Sequence, residues 1–137
     1  MTEKEKLLEI YKQTNYFISD LGIQIVIEKF NNKIDKEVEK FNKISWAFIS
    51  ASNPFSKNIS DKKNEQNFEL LKEQVSENYI KYFIGYGQGQ GGWESEKSIF
   101  IIGITETQAT KLGLLFGQNA IVIGSVGGTA KIKWLQD

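Results

Sequence analysis

Apolar residues recur along this chain with two periods, and the switches between the two mark out its elements. In the charged opening segment Leu7, Leu8, Ile10 and Tyr11 make one stripe, so residues 2–13 read as an amphipathic helix. Tyr16 to Ser19 and Ile23 to Glu28 read as short strands joined through the turn-prone Asp20 to Gly22. Ile34, Val38 and Phe41 return to helical spacing among charges and predict a second helix over 33–42. Trp46 to Ser52 is rich in β-formers and predicts a central strand. The only proline, Pro54, stops it and biases Asn53 toward extended backbone. Ser60 is a good N-cap for a third helix reaching about Ser76, with Asp61 suited to its positive end. Tyr79 to Tyr86 returns as a strand, residues 87–92 read as a flexible glycine-rich loop, and Ser98 to Ile104 as the next strand. Thr105 with Gln108 has the signature of a capping box opening a fourth helix through Phe116, which Gly117 ends. Asn119 to Ser125 and Ala130 to Leu135 close the chain as a hairpin about Val126-Gly127-Gly128.

From Trp46 onward the order is β-α-β-β-α-β-β, as in a split βαβ sandwich, after an N-terminal α-β-β-α extension. The expected class is therefore α+β, a single mixed or antiparallel sheet with helices packed on it. No repeat, linker or low-complexity segment divides the chain. Residues 1–137 are read as one domain, 1–43 as its N-terminal part and 44–137 as its core.

Composition chiefly removes chemistries. Seventeen cationic side chains, all lysine, balance seventeen acidic ones. Zero net charge argues against nucleic acid or an anionic membrane as partner. The lack of arginine removes a bidentate guanidinium clamp. With neither cysteine nor histidine, thiolate catalysis, disulfides, a Ser-His-Asp triad and a histidine-based metal site are all excluded. No metal site and no cofactor are expected. The charged start, Met1 to Lys6, has no apolar h-region, and the apolar runs are too short to span a bilayer, so a cytoplasmic location is expected.

The candidate chemistry gathers where the central strand ends and the third helix begins. Asn64 and Asn67 share a face with Phe68, Leu71 and Val75, which puts two carboxamides where apolar residues are expected. Ser50, Ser52, Asn53 and Ser56 lie just upstream, and strand ends of this kind commonly hold ligands. The same side chains also suit plain loop and cap duties. Gln118 and Asn119, between a helix stop and a strand start, either cap that strand or add two amides to the polar edge. The stretch from Gly85 to Gly92 is no phosphate loop: it lacks the Gly-Lys-Ser/Thr ending and is followed by Trp93 and Glu94 rather than by a helix. Trp93 suits a place in the site. Glu94 is the best-placed candidate general acid or base, because an aromatic neighbour desolvates a carboxyl. Glu96 and Lys97 read as solvated turn residues.

Trp46-Ala47-Phe48-Ile49-Ser50-Ala51-Ser52-Asn53-Pro54, followed by Ser56, Ser60-Asp61, Asn64 and Leu71, resembles the opening motif of the bacterial family called domain of unknown function 3293. Trp93-Glu94, Ser98, Gly103 and Phe116 to Ala120 are similar to its second half. The resemblance covers about residues 44–135, with Ser50 and Ser52 where the family pattern has Thr and Trp. It implies a small domain without an assigned reaction. Two readings stay open. One is a domain binding a polar or phosphorylated small molecule through Asn53, Ser56, Asn64, Asn67, Trp93, Gln118 and Asn119, with Glu94 available for catalysis. The other is a protein-interaction module of accessory, inhibitor or immunity type, without catalysis.

Overall fold

The computed structural model describes residues 1–91 and 94–136. Among the described residues four helices and seven strands follow one another as α1 (Glu3–Gln13), β1 (Asn15–Ile18), β2 (Ile23–Ile25), α2 (Asn32–Glu39), β3 (Ser45–Ser50), α3 (Asp61–Asn78), β4 (Lys81–Gln88), β5 (Glu96–Ile102), α4 (Glu106–Leu115), β6 (Ala120–Ser125) and β7 (Lys131–Trp134), with a short 3-10 turn at Pro54–Ser56. The class is α+β. All seven strands join one antiparallel sheet in the order β2-β1-β4-β5-β3-β6-β7. Its centre, β4-β5-β3-β6, has β5 inserted between the two strands that α3 connects, which is the split βαβ arrangement.

The helix starts are chemically determined. Ser60 accepts from the backbone N–H of Lys63, and Thr105 and Gln108 exchange the two bonds of a capping box. Phe68, Leu71 and Val75 of α3 are buried on one face of the sheet against Ala47, Ile49, Ile99 and Ile101. On the same face α4 lies close because Ala109 and Gly113 are small; a Cβ on Gly113 would come within 2.5 Å of Leu135.

The opposite face is concave. Just after β2, Glu28 N–H donates to Ala130 O at 2.7 Å, and Ile27 and Phe30 bridge to Ala130 and Thr129 ahead of β7. The two edges of the sheet thus meet, and the sheet curls around its own interior. Large side chains fill one end of that interior: Ile18, Ile25, Trp46, Phe48, Phe100 and Ile102 are almost fully buried, and α2 closes this end with Ile34 and Val38.

Two boundaries differ from the sequence expectation for one reason. β4 runs on to Gln88 and β5 begins at Glu96, because Gly85, Tyr86 and Gly87 pair with Ser98, Lys97 and Glu96. β1 also pairs along the other side of β4. Gly85 and Gly87 are therefore strand residues, and Glu96 and Lys97 are ladder residues rather than solvated turn residues. At Gly85 the glycine is required: a Cβ would collide with the Phe17 carbonyl and sit 2.8 Å from the Phe48 ring. Gly85→Ala is predicted to cost about 1–3 kcal/mol, the usual range for overpacking, read as a lower urea midpoint at unchanged slope. A loss below about 0.5 kcal/mol would show that β1 and β4 do not pack this closely.

Candidate functional site

Along the concave face each central strand changes character at the same level. Inward residues run Phe100, Ser98, Glu96 on β5; Phe48 then Ser50 on β3; Phe83, Gly85, Gly87 on β4; and Val122 then Ala120 on β6. Ser98 stands opposite both Ser50 and Gly85 in the ladders. The interior is packed on the large-residue side of this level and unfilled on the other. The remaining space is a pocket of about 100 Å³ with Phe48, Val122, Ile132 and Tyr16 at its apolar end.

Helix α1 roofs it. Leu7, Ile10 and Tyr11 line the pocket, although no α1 residue is fully buried. The helix also rests on β7, with the Tyr11 ring 6.4 Å from that of Trp134 and Lys4 Nζ 5.7 Å from the Trp134 ring centre. The Trp134 indole N–H beneath it has no hydrogen-bond partner, alone among buried side-chain polar atoms of the described residues. Such a group costs about 1–3 kcal/mol, so the seat of α1 on β7 is imperfect.

The pocket's polar wall is the segment after β3. Asn53, Phe55 and Ser56 all have positive φ (45°, 58° and 60°), a region that non-glycine residues enter at a cost. The extended backbone that Pro54 would favour at Asn53 is overridden by a set of bonds. Asn53 N–H donates to Asn64 Oδ1 at 2.8 Å, Asn53 Oδ1 accepts from Asn64 Nδ2 and from the Ile59 N–H, and Phe55 N–H donates to Gly117 O at 2.7 Å. Asn64 thus acts from behind, holding Asn53. Asn53 Nδ2 in turn donates to Glu96 Oε2 at 3.0 Å.

Ser56 Oγ lies 2.8 Å from Tyr11 Oη and accepts from Asn119 Nδ2 at 2.9 Å. Gln118 Nε2 donates to the carbonyls of Ser52 and Phe116. Burial pushes the Tyr11 phenol above its ordinary value, against the hydrogen bonds of Ser56 and Asn119, and burial likewise pushes up the Tyr16 phenol. Glu96 is raised as well, chiefly by burial, with the Asn53 bond opposing the shift.

Of the residues expected from sequence, Asn53, Ser56, Glu94, Gln118 and Asn119 line this one pocket. Asn64 sits one layer behind. Asn67 lies elsewhere, in the groove between α3 and α4 with Pro54, Leu70 and Leu115. Trp93 falls outside the described residues. Glu94 is exposed at the rim, whereas Glu96, read from sequence as solvated, is the enclosed carboxyl. Alternation explains the difference. Glu96 points inward with Ser98, while Lys97 points outward, its Nζ 2.8 Å from Glu65 Oε2 on α3. Tyr11, Ser98 and Glu96 are pocket-lining positions that sequence reasoning missed. The period-2 series Glu96-Ser98-Phe100 was the available signal for two of them. Among the described residues no three carboxylates gather closely enough to hold a metal ion.

Two predictions follow from this geometry. A carboxyl whose folded pKa is raised binds its proton more tightly in the folded state, so its contribution is fully present below the unfolded value and is lost as pH rises through the folded one. Glu96→Gln, which keeps an acceptor for Asn53, should therefore raise Tm at pH 7, with the gain shrinking as pH falls through the carboxylate range; a Tm difference independent of pH would contradict a desolvated Glu96. At Ser56 both Ala and Gly remove the hydroxyl, but only Gly relieves the positive φ. Ser56→Gly should be more stable than Ser56→Ala by about 1 kcal/mol in urea titrations, and equal stability would argue against the strained turn.

Neither a curated protein nor a solved structure matches the chain. The family described as "Protein of unknown function (DUF3293)" matches residues 49–121, a span running from β3 to the start of β6 that includes Asn53, Ser56, Asn64, Glu96, Gln118 and Asn119. With more than half of its length matched, this chain belongs to the DUF3293 family.

Proposed function

We propose that this domain binds a small polar molecule in the mouth of its curled sheet, beneath α1. The observation that carries this reading is the convergence on one enclosed space, with an apolar inner end, of polar side chains from α1, the turn after β3, β5 and the α4–β6 connection. Mouths of curled and closed sheets are common ligand sites, and a few fixed polar groups over an apolar base are their usual design. The strained backbone of Asn53 and Ser56 belongs to the same wall, and strain of this kind collects at binding and catalytic positions.

The charge of the lining narrows the ligand. Among the described residues Glu94 and Glu96 line the pocket and no lysine does, although all seventeen cations of the chain are lysines. The first turn of α3 is exposed, and Ser60 caps it. A phosphorylated ligand therefore finds no counter-charge here, and an uncharged or cationic one fits better. Should the site carry out a reaction, Glu96 is the group placed for proton transfer, since its raised pKa brings it nearer to neutrality. The surface a protein partner would use is separate: Phe55, Leu70, Leu114 and Leu115 are exposed in and beside the groove between α3 and α4.

The test is a fragment screen read by amide chemical shifts. A Cβ at Gly87 meets Thr14 and Tyr16 only at ordinary contact distances of 3.6–3.8 Å, so this backbone admits a side chain, and Gly87→Val is chosen to occupy part of the pocket. Binding fragments should shift the amides of Ser50, Ser98 and Asn119, and Gly87→Val should abolish those shifts while leaving the α3–α4 groove unchanged. Fragments that shift only the groove, or that bind Gly87→Val equally well, would defeat the proposal.

A further inference from the structure

The hydrogen-bond inventory of the pocket is lopsided, and this says what kind of ligand head it takes. Most donors on the wall are already engaged. Ser50 Oγ donates to the Lys97 carbonyl, Ser98 Oγ to that of Glu96 and Thr14 Oγ1 to that of Ile10. Both N–H bonds of the Gln118 carboxamide go to backbone carbonyls, Ser52 O at 3.1 Å and Phe116 O at 3.3 Å, which fixes the orientation of that amide. Its oxygen is left over.

The acceptors are in the opposite condition. Gln118 Oε1, Asn119 Oδ1 and Glu96 Oε1 accept no hydrogen bond from any described residue. Gln118 and Asn119 are each only 8% exposed, and both line the pocket, so it is the pocket that gives access to their free oxygens. Unlike the Trp134 N–H, these oxygens are not fully shut off from solvent, so a donor that enters the pocket can reach them. Asn53, by holding Glu96 Oε2, leaves Oε1 as the free oxygen of a carboxylate in a partly desolvated wall. Tyr11, Tyr16 and Phe48 also line the pocket, and aromatic rings can attract cations.

We infer that the pocket takes the protonated nitrogen of a small organic amine, with Glu96 as its counter-charge and the carboxamide oxygens of Gln118 and Asn119 as its further acceptors. This rests on the small-ligand reading above. An ammonium group brings three donors and no acceptor, which is the complement of this wall. An alcohol brings one donor and no charge, and a carboxylate brings only acceptors, to be set against Glu94 and Glu96. The space of about 100 Å³ is smaller than the roughly 150 Å³ apolar cavity that encloses benzene, so the enclosed part of the ligand is the amine with a short alkyl stem.

Propylamine, 1-propanol and propanoate share one shape and differ in charge and donors. Titrated at pH 7 with amide chemical shifts as readout, propylamine should give saturable shifts at Ser50, Ser98 and Asn119. Its affinity should be at least about tenfold above that of propanol, as expected for one charge-assisted bond, and propanoate should give none. Glu96→Gln should bring propylamine to within about twofold of propanol in the same variant. If propanol equals propylamine, if propanoate saturates these amides, or if Glu96→Gln leaves the amine preference intact, the amine inference is overturned and the pocket stands. If none of the three gives saturable shifts there, the pocket falls with it.

Discussion

The backbone bond from Glu28 to Ala130 and the two bridges beside it turn an open sheet into one with an interior. An open seven-stranded sheet would show its second face to water and would need a second layer to cover it. Once its edges meet, that face encloses a volume, and every inward side chain is read against the same question of what fills it. Trp46, Phe48, Phe100 and Ile102 answer it at one end. Ser50, Ser98 and Gly87 leave it unanswered at the other, since serine and glycine have too little volume to reach the middle.

The unfilled end then determines the electrostatics. Beneath α1 a carboxyl at the start of β5 is shielded from water on several sides, and burial outweighs its single hydrogen bond to Asn53. Two phenols near it are raised for the same reason. A protein under selection only for stability would replace Glu96 by an apolar residue and fill the level above Phe48 with larger ones. The chain keeps instead a strained turn, a desolvated carboxylate and an imperfectly seated helix around the same space. Their coincidence in one place is what a binding site requires and what a packed core avoids.

The order and type of every element were legible in the sequence because each carries its own period and punctuation. Ser60, Thr105 with Gln108, and Gly117 act locally, so the helix limits they mark needed no tertiary information. The site was legible only in part. Asn53, Ser56, Gln118 and Asn119 stood out as polar residues at element ends. Tyr11 did not, since its contact with Ser56 spans 45 positions and its helix looked like an ordinary amphipathic one. Glu96 was hidden by the glycine-rich run before it, which reads as a loop; the pairing of Gly87 with Glu96 shows that the strand alternation extends that far. Asn67 misled because the face it shares with Asn64 is wide enough for one to meet Asn53 and the other to open on α4.

The most direct measurement is the titration of the Glu96 side-chain carboxyl by carbon-13 NMR, with its resonance assigned through Glu96→Gln. An enclosed carboxylate at the unfilled end of a curled sheet titrates above the usual glutamate value, and that midpoint is the predicted result. A midpoint at or below the ordinary value would contradict a carboxyl whose burial outweighs its bond to Asn53, and with it the desolvated wall beneath α1.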